Sequence, residues 1–346
     1  MKFRHMIFTG VCSGTVVLGA YYFFVAPVRP QTLAGATDNE EIIIRIAPGS
    51  GLTDIAAELK KNKVIRSEGI FSLYSLLAGK AHTLKPGRYS IDAGVSLGGL
   101  VQTLADGPED IAVTIVPGMT LREVDAKLSA LGLIKSNELA SLNLSSFVPD
   151  YPWLTKFQNS STIDLRGGNN PEGFILPDTY SISSGGDSRA ILQKFLDNFQ
   201  NKALPLFSES SKPFDALIVA SLLEKEAPDY MDRERIAGIL AKRLRVDMPL
   251  QIDATVIYAN CGGSFSGCDK NTRADYAINS PYNTYIYTGL PPKPISNPDL
   301  EAIRAALTPK ASPYWFYLSD PKTKKTIFSE TLDEHNDARV NYLLSK

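Results

Sequence analysis

Two carboxylates interrupt an apolar run in the middle of the chain. Residues Ala216 to Leu223 leave almost no polar face, and Glu224, Lys225 and Glu226 follow at once. Such a run predicts a buried helix rather than a surface one. Pro228 disfavours helical geometry at Ala227, so the helix is expected to stop there. Its last turn then carries Glu224 and Glu226 to the edge of a core. Burial there disfavours the charged form of a carboxyl group, which is how a general acid is made. The same residues also fit two solvated glutamates on an ordinary C-terminal turn.

Two further stretches carry polar groups suited to a sugar. In Met248–Tyr258, Gln251, Asp253 and Thr255 alternate with Leu250, Ile252, Ala254 and Val256. The alternation predicts a strand with three hydrogen-bonding side chains on one face. Amide, carboxylate and hydroxyl together suit sugar hydroxyls and N-acetyl groups. An amphipathic surface strand fits the same pattern. The second stretch, Ser280–Ile295, holds Tyr282, Asn283, Thr284, Tyr285 and Tyr287 between prolines. It reads as a stiff, aromatic loop of the kind that carries sites on rigid scaffolds, or else as a connector whose tyrosines pack on the core. No phosphate-cradling glycine loop, metal-ligand cluster or Ser/His/Asp set is evident, so no cofactor or metal is expected.

Other elements must position these groups. A helix from about Arg233 to Arg245 has Ile236, Ile239, Leu240 and Leu244 on one face. Its Arg233, Arg235, Lys242, Arg243 and Arg245 are expected to be solvated. Upstream, Asp187 is a candidate N-cap for an amphipathic helix reaching about Leu204. Leu176–Tyr180 reads as a turn set by Pro177 and Asp178. Downstream, a helix over Pro298–Leu307, a hairpin of Tyr314–Leu318 with Thr326–Phe328, and a last helix over Leu332–Leu344 are expected.

The first third contains a repeat. Pro48–Ile65 aligns without gaps to Pro117–Ile134, with Leu52/Leu121, Ala57/Ala126 and Leu59/Leu128 identical. Each copy follows an apolar run, Ile42–Ile46 or Ile111–Val116, and opens a helix. Thr120 with Glu123 forms a capping-box pattern. A second helix over Glu68–Leu77 and a strand ending near Ile91 complete the order strand, helix, helix, strand. That order and size resemble a LysM-like glycan-binding module. A plain α+β scaffold unit fits equally, since Phe71, Tyr74 and Tyr89 are expected to pack inside.

Lys2 and Arg4 precede an uncharged run from Met6 to Val28, long enough to span a bilayer as a helix. They favour a cytoplasmic N-terminus, with the rest of the chain on the periplasmic or extracellular side. The formal net charge of −1 argues against an electrostatic nucleic-acid binder. Three cysteines are too few for a disulfide framework. Cys261 and Cys268 bracket a Gly/Ser-rich loop that they could close in an oxidising compartment.

In order and spacing, several motifs resemble the YceG-like (MltG) endolytic murein transglycosylases over essentially the whole chain. They are Leu176-Pro-Asp-Thr-Tyr180, Ala220-Ser-Leu-Leu-Glu-Lys-Glu226, Arg243-Leu with Met248-x-Leu-Gln251, Asp253-x-Thr-Val-x-Tyr258, Ser280-Pro-Tyr-Asn-Thr-Tyr285, Gly289-Leu-Pro-Pro292 and Glu334-His-Asn336. The resemblance implies that Glu226 is the catalytic glutamate, acting as both acid and base with no cofactor. It implies peptidoglycan glycan strands as substrate, cleavage to 1,6-anhydro ends and peptidoglycan synthases as partners. Gln251, Asp253, Thr255, Asn283, Tyr285 and Tyr180 are the candidate substrate contacts. Glu224 lies about 200° around a regular helix from Glu226, and is expected to be structural, with Arg243 as its candidate partner. A non-catalytic wall-binding scaffold that regulates the synthases is the competing function.

The expected fold class is therefore α+β. A transmembrane helix (6–28) follows a short cytoplasmic tail (1–5), and a linker (29–41) leads to a LysM-like module (42–110). A YceG-like region (111–346) follows, with a second LysM-like motif near 111–134 and a mixed α/β catalytic core over about 165–346. The expected location is the cell (inner) membrane, with the catalytic part outside.

Overall fold

The computed structural model describes residues 41–47, 49–92, 94–157, 169–185, 187–267 and 276–344. The expected membrane span at 6–28 and Cys268 lie outside these residues. No helix among the described residues is long and apolar enough to cross a membrane. The chain is mixed α/β and divides into two units. The first holds the described residues up to Ile111 together with Ser181–Asp187, and the second holds the rest.

In the first unit the order is β1 (Glu41–Ile46), α1 (Leu52–Lys61), α2 (Glu68–Leu77), β2 (Gly87–Asp92) and α3 (Leu97–Asp106). β1 and β2 pair antiparallel, with Ile44 opposite Tyr89. Alternation puts Ile44, Ile46, Tyr89 and Ile91 into one core with Leu59, Phe71 and Leu100. The expected strand, helix, helix, strand order is present, with Phe71 and Tyr89 inside. The Ser96 side chain caps α3 by accepting from the Gly99 amide.

A second two-stranded sheet pairs β3 (Asp110–Ile115) with β4 (Asp178–Ser183). The second unit continues with α4 (Leu121–Ala130), which opens on the expected capping box between Thr120 and Glu123. Two short 3-10 turns, Leu144–Phe147 and Pro152–Phe157, lead into an aromatic cluster. There Trp153 stacks on Phe199, while Phe157 meets Phe174 and Phe207 edge-on. α5 (Ser188–Lys202) begins directly after Asp187 and contributes Phe199.

α6 (Pro213–Glu226), α7 (Tyr230–Arg245) and α9 (Leu300–Leu307) pack on one another. α8 (Asp253–Asn260) lies between α7 and α9 in the chain. The hairpin of β5 (Phe316–Ser319) and β6 (Thr326–Ser329) follows, and α10 (Leu332–Arg339) runs on into a π-helical turn, Val340–Leu344. Leu222, Leu223, Ile236, Leu240 and Ile252 anchor the shared core.

Two expectations are corrected here. The stretch around Asp253 is helical, not a strand. A seven-residue alternation of polar and apolar residues, Leu250–Val256, mimics a strand, but contacts from a distant loop decide. Thr284 accepts the Gln251 amide on its carbonyl at 3.0 Å and the Ile252 amide on its hydroxyl at 2.9 Å. Gln251 is thereby held at φ 54°, which breaks any extended run just before α8. The second correction concerns the basic face of α7, because Arg233 and Arg243 are both buried.

Gly238 shows how tightly α7 is enclosed. A Cβ at this position would lie 1.9 Å from the Lys310 carbonyl oxygen. Helix propensity alone favours Ala over Gly by about 0.5–1 kcal/mol. The backbone overlap outweighs that, because overpacking of this kind costs about 1–3 kcal/mol or more. Gly238→Ala is expected to lower stability in urea titration, whereas a gain would show that the 310 segment yields freely.

Candidate active site

α6 ends where the sequence predicts. Ala227 leaves the helix in an extended conformation, φ −145° and ψ 138°, ahead of Pro228. The last turn sends its two glutamates to different surroundings. Glu224 is buried against Arg233, with Oε1 3.0 Å from the guanidinium and both side chains 5% exposed. Its Oε2 accepts the Asp299 amide at 2.9 Å. The Arg233 guanidinium also donates to the Ala227 carbonyl at 2.7 Å and to both Asp299 oxygens at 2.9 and 3.1 Å. Burial pushes the Glu224 carboxyl up, while the Asp299 amide and Arg233 pull it down. Glu224 thus pairs with Arg233, not with Arg243 as expected from sequence. Arg243 instead donates to the Leu250 carbonyl at 2.7 Å and to the Trp315 carbonyl at 3.0 and 2.7 Å.

Glu226 lies on the other side of the helix, in an open cleft of about 850 Å³. Lys225, Arg243, Gln251, Asp253, Tyr276 and Tyr285 line the cleft together with residues of β5 and α10. The Tyr317 hydroxyl donates to the half-buried Glu226 carboxyl. Burial pushes that carboxyl up to about 7, the Tyr317 hydrogen bond opposes this, and the charge of Asp253 adds to it. Asp253 accepts the hydroxyls of Tyr285 at 2.5 Å and Tyr276 at 3.2 Å. The two rings meet edge-on with centroids 4.8 Å apart. A carboxyl that holds its proton near neutrality, beside a second carboxylate and several phenols, can donate that proton to a bound ether oxygen.

The residues expected to contact substrate divide into two groups. Gln251, Asp253 and Tyr285 line the cleft with Glu226. Thr255, Asn283 and Tyr180 are buried, and none of them lines it. The Thr255 hydroxyl is hydrogen-bonded to Thr284 at 2.9 Å, and it donates to the Ile252 carbonyl at 2.7 Å. Asn283 donates to the Tyr276 and Ile278 carbonyls and accepts the Tyr285 amide, so it shapes the tyrosine loop. The Tyr180 hydroxyl donates to the Leu176 carbonyl and accepts from Asn198. The polar atoms of these three residues are committed to the fold. Sequence reasoning missed Tyr317, Phe316, Tyr276, Lys225 and Arg339 as cleft residues. Lys225, within Ala220-Ser-Leu-Leu-Glu-Lys-Glu226, and His335, within Glu334-His-Asn336, lay in recognisable motifs. Among the described residues, no group of three or more His, Cys, Asp or Glu side chains is placed to hold a metal ion.

A polar lattice gathers around Glu172 at the start of α4. Buried Glu172 accepts the Leu121 amide at the start of α4, the Tyr258 hydroxyl and the Asn297 side-chain amide. Burial pushes its carboxyl up to about 8. Glu123 accepts the Phe265 and Ser266 amides at 2.7 Å, and Lys225 lies over the Phe265 ring at 3.9 Å. The Gly/Ser-rich loop is thereby tied to the start of α4. Cys261 within it is disulfide-bonded.

The YceG-like family model matches residues 44–341. The chain belongs to the YceG-like family. A protein of Bacillus subtilis named endolytic murein transglycosylase is 33% identical over 342 residues, which cover 96% of this chain and 92% of that protein. A Streptococcus pneumoniae protein of the same name is 27% identical over 354 residues, and the match covers 95% of this chain but 63% of that longer protein. Among solved structures, a yceG-like protein of Listeria monocytogenes superposes with a TM-score of 0.56 at 30% identity. That match covers 87% of this chain and 99% of the Listeria chain. These relatives extend across both units, so family membership does not rest on the cleft alone.

The contrast between the two glutamates is measurable. Removing Arg233 strands Glu224 and Asp299, and breaking a buried pair in this way costs about 3–5 kcal/mol. Glu226→Gln should behave differently. Its folded-state pKa, about 7, lies above the unfolded value of roughly 4.3. Wild type therefore loses stability relative to Glu226→Gln as the pH rises from the unfolded value through 7. Urea titrations at pH 5 and pH 8 test both statements. A variant no better off at pH 8 than at pH 5 would contradict the second.

Proposed function

We propose that the chain is an endolytic murein transglycosylase that cleaves the MurNAc–GlcNAc bond within glycan strands and leaves 1,6-anhydroMurNAc ends. The observation that carries this is Glu226, a carboxyl held protonated near neutrality in a cleft lined by hydrogen-bonding side chains. It occurs in a chain whose relatives are named endolytic murein transglycosylase. Glu226 donates its proton to the glycosidic oxygen as the bond breaks. As carboxylate it then takes the proton of the MurNAc C6 hydroxyl, which attacks its own C1. The nucleophile is part of the substrate, so alignment supplies much of the acceleration. Gln251, Asp253 and Tyr285 are the groups we assign to that alignment, with Tyr317 holding the acid. Asp253 also favours a second reading, hydrolysis, in which a second carboxylate activates water.

The run Met6–Val28 suits a membrane anchor that keeps the cleft close to newly made strands. With the β-α-α-β unit as a LysM-like glycan holder and the synthases as partners, such an enzyme would limit nascent strand length. Digestion of purified strands, followed by mass spectrometry, tests the assignment. Internal 1,6-anhydro ends are expected, reducing ends would establish hydrolysis, and uncut strands would favour the scaffold reading.

The pH dependence follows from the surroundings of Glu226. The protonated acid is required, so kcat/KM should fall as the pH rises through about 7. Tyr317 pulls the carboxyl down, so Tyr317→Phe should move this limb to higher pH. Asp253 pushes it up, so Asp253→Asn should move the limb to lower pH. Glu226→Gln should lose at least about a hundredfold, the low end for a general acid–base group. Shifts of the same sign in the Tyr317 and Asp253 variants would show that another group sets the limb.

A further inference from the structure

We infer that Arg339, beside His335, forms an anion subsite in the cleft, for a carboxylate carried on the 3-O-lactyl arm of the N-acetylmuramyl residues. This rests on the glycan-cleaving reading above and adds which part of the substrate the C-terminal helix holds. That helix and its π-turn contribute Leu332, His335, Arg339 and Leu343 to the cleft. Their spacing of three, four and four residues places them on one helical stripe. Ala338 is the buried residue of α10, so the stripe is not explained by core packing.

The cleft's cations are unequally engaged. Lys225 donates to the Gly118 carbonyl at 3.2 Å and lies over Phe265. The Arg243 guanidinium is committed to the Leu250 and Trp315 carbonyls. Arg339 is exposed, and it pairs with no carboxylate among the described residues. Next to it, the His335 ring stacks on Phe316 at 5.3 Å and 24°. Its Nδ1 is shielded from water and has no hydrogen-bond partner. Burial and the charges of Arg339 and Arg243 pull the imidazole below its ordinary value. A planar guanidinium fork matches a carboxylate with two parallel hydrogen bonds, which a solvated surface arginine has no need to be placed for.

Substrate chemistry supplies the matching group. The sugar rings are uncharged. The lactyl arm ends in a carboxylate when bare, and carries peptide carboxylates when substituted. Asp253, on α8, repels such a group, while Arg339 on α10 attracts it, and both line the cleft. The charges therefore orient the strand, with the lactyl arm toward α10 and the glycosidic oxygen toward Glu226.

The test is binding by the full-length chain carrying Glu226→Gln, read by fluorescence anisotropy on three sets of defined strands. One set is stripped of peptides, one has acidic stems, and one has stems with every carboxylate amidated. Adding Arg339→Ala should raise Kd about tenfold on strands that carry the recognised carboxylate, with Arg339→Lys losing less. The effect should be small on amidated strands. A loss on stripped strands identifies the lactyl carboxylate, and a loss confined to acidic stems identifies the peptide. An equal effect on all three sets, no effect, or no binding to any strand overturns the subsite. Binding that follows this pattern, while wild type leaves the strands uncut, would refute the cleavage reading and leave the subsite standing.

Discussion

The buried guanidinium of Arg233 is the tie on which the rest of the candidate site depends. It joins the last turn of α6 through Glu224 and the Ala227 carbonyl, and the N-cap of α9 through Asp299. It is itself part of α7, so one side chain fixes three helices at a single point. Asp299 in turn accepts the Ala302 amide and so starts α9. Glu226 is two residues from Glu224 and inherits that fixed position. Without the tie, Glu224 would be left buried with no countercharge, and Asp299 would lose its partner.

Burial acts on three carboxyls here, and their partners decide the result. Glu172, Glu224 and Glu226 are all pushed up by desolvation. Glu172 is surrounded by donors that it uses to hold Leu121, Tyr258 and Asn297 together. Glu224 has a guanidinium and a backbone amide. Glu226 has one phenol and a like-charged neighbour, and it alone of the three lines the cleft. Glu224 and Glu226 are both raised to about 7, so what sets Glu226 apart is that it faces the cleft and is not ion-paired to a guanidinium. The arrangement separates structural from chemical carboxylates without any change of residue type.

Much of this was legible from local pattern. The apolar run to Leu223, the stop before Pro228, the capping box at Thr120 and the closing hairpin are all local signals, and each is found in the fold. What sequence could not show was set by contacts far apart in the chain. Thr284 turns the chain at Gln251 and makes a helix of a strand-like stretch. Arg233 and Arg243 look like a solvated basic face, because nothing local tells a guanidinium that ends in solvent from one that ends on buried carbonyls. Thr255, Asn283 and Tyr180 are candidate sugar contacts by motif and polarity, yet their polar groups are used to close loops. Tyr317 had no signal beyond its place in a strand, since its meeting with Glu226 spans some ninety residues of chain.

The stop at Pro228 also explains why the two glutamates can differ. A helix that ends leaves its last carbonyls without helical partners. Here Ala227 turns extended, and its free carbonyl becomes an acceptor that Arg233 can reach. That bond holds the guanidinium in place to pair with Glu224 on one face of α6. Because Glu226 sits about 200° further round the same last turn, the guanidinium that neutralises Glu224 does not reach it. One proline thus ends the helix, supplies the acceptor that positions the countercharge, and leaves the second carboxyl to be tuned by burial, Tyr317 and Asp253.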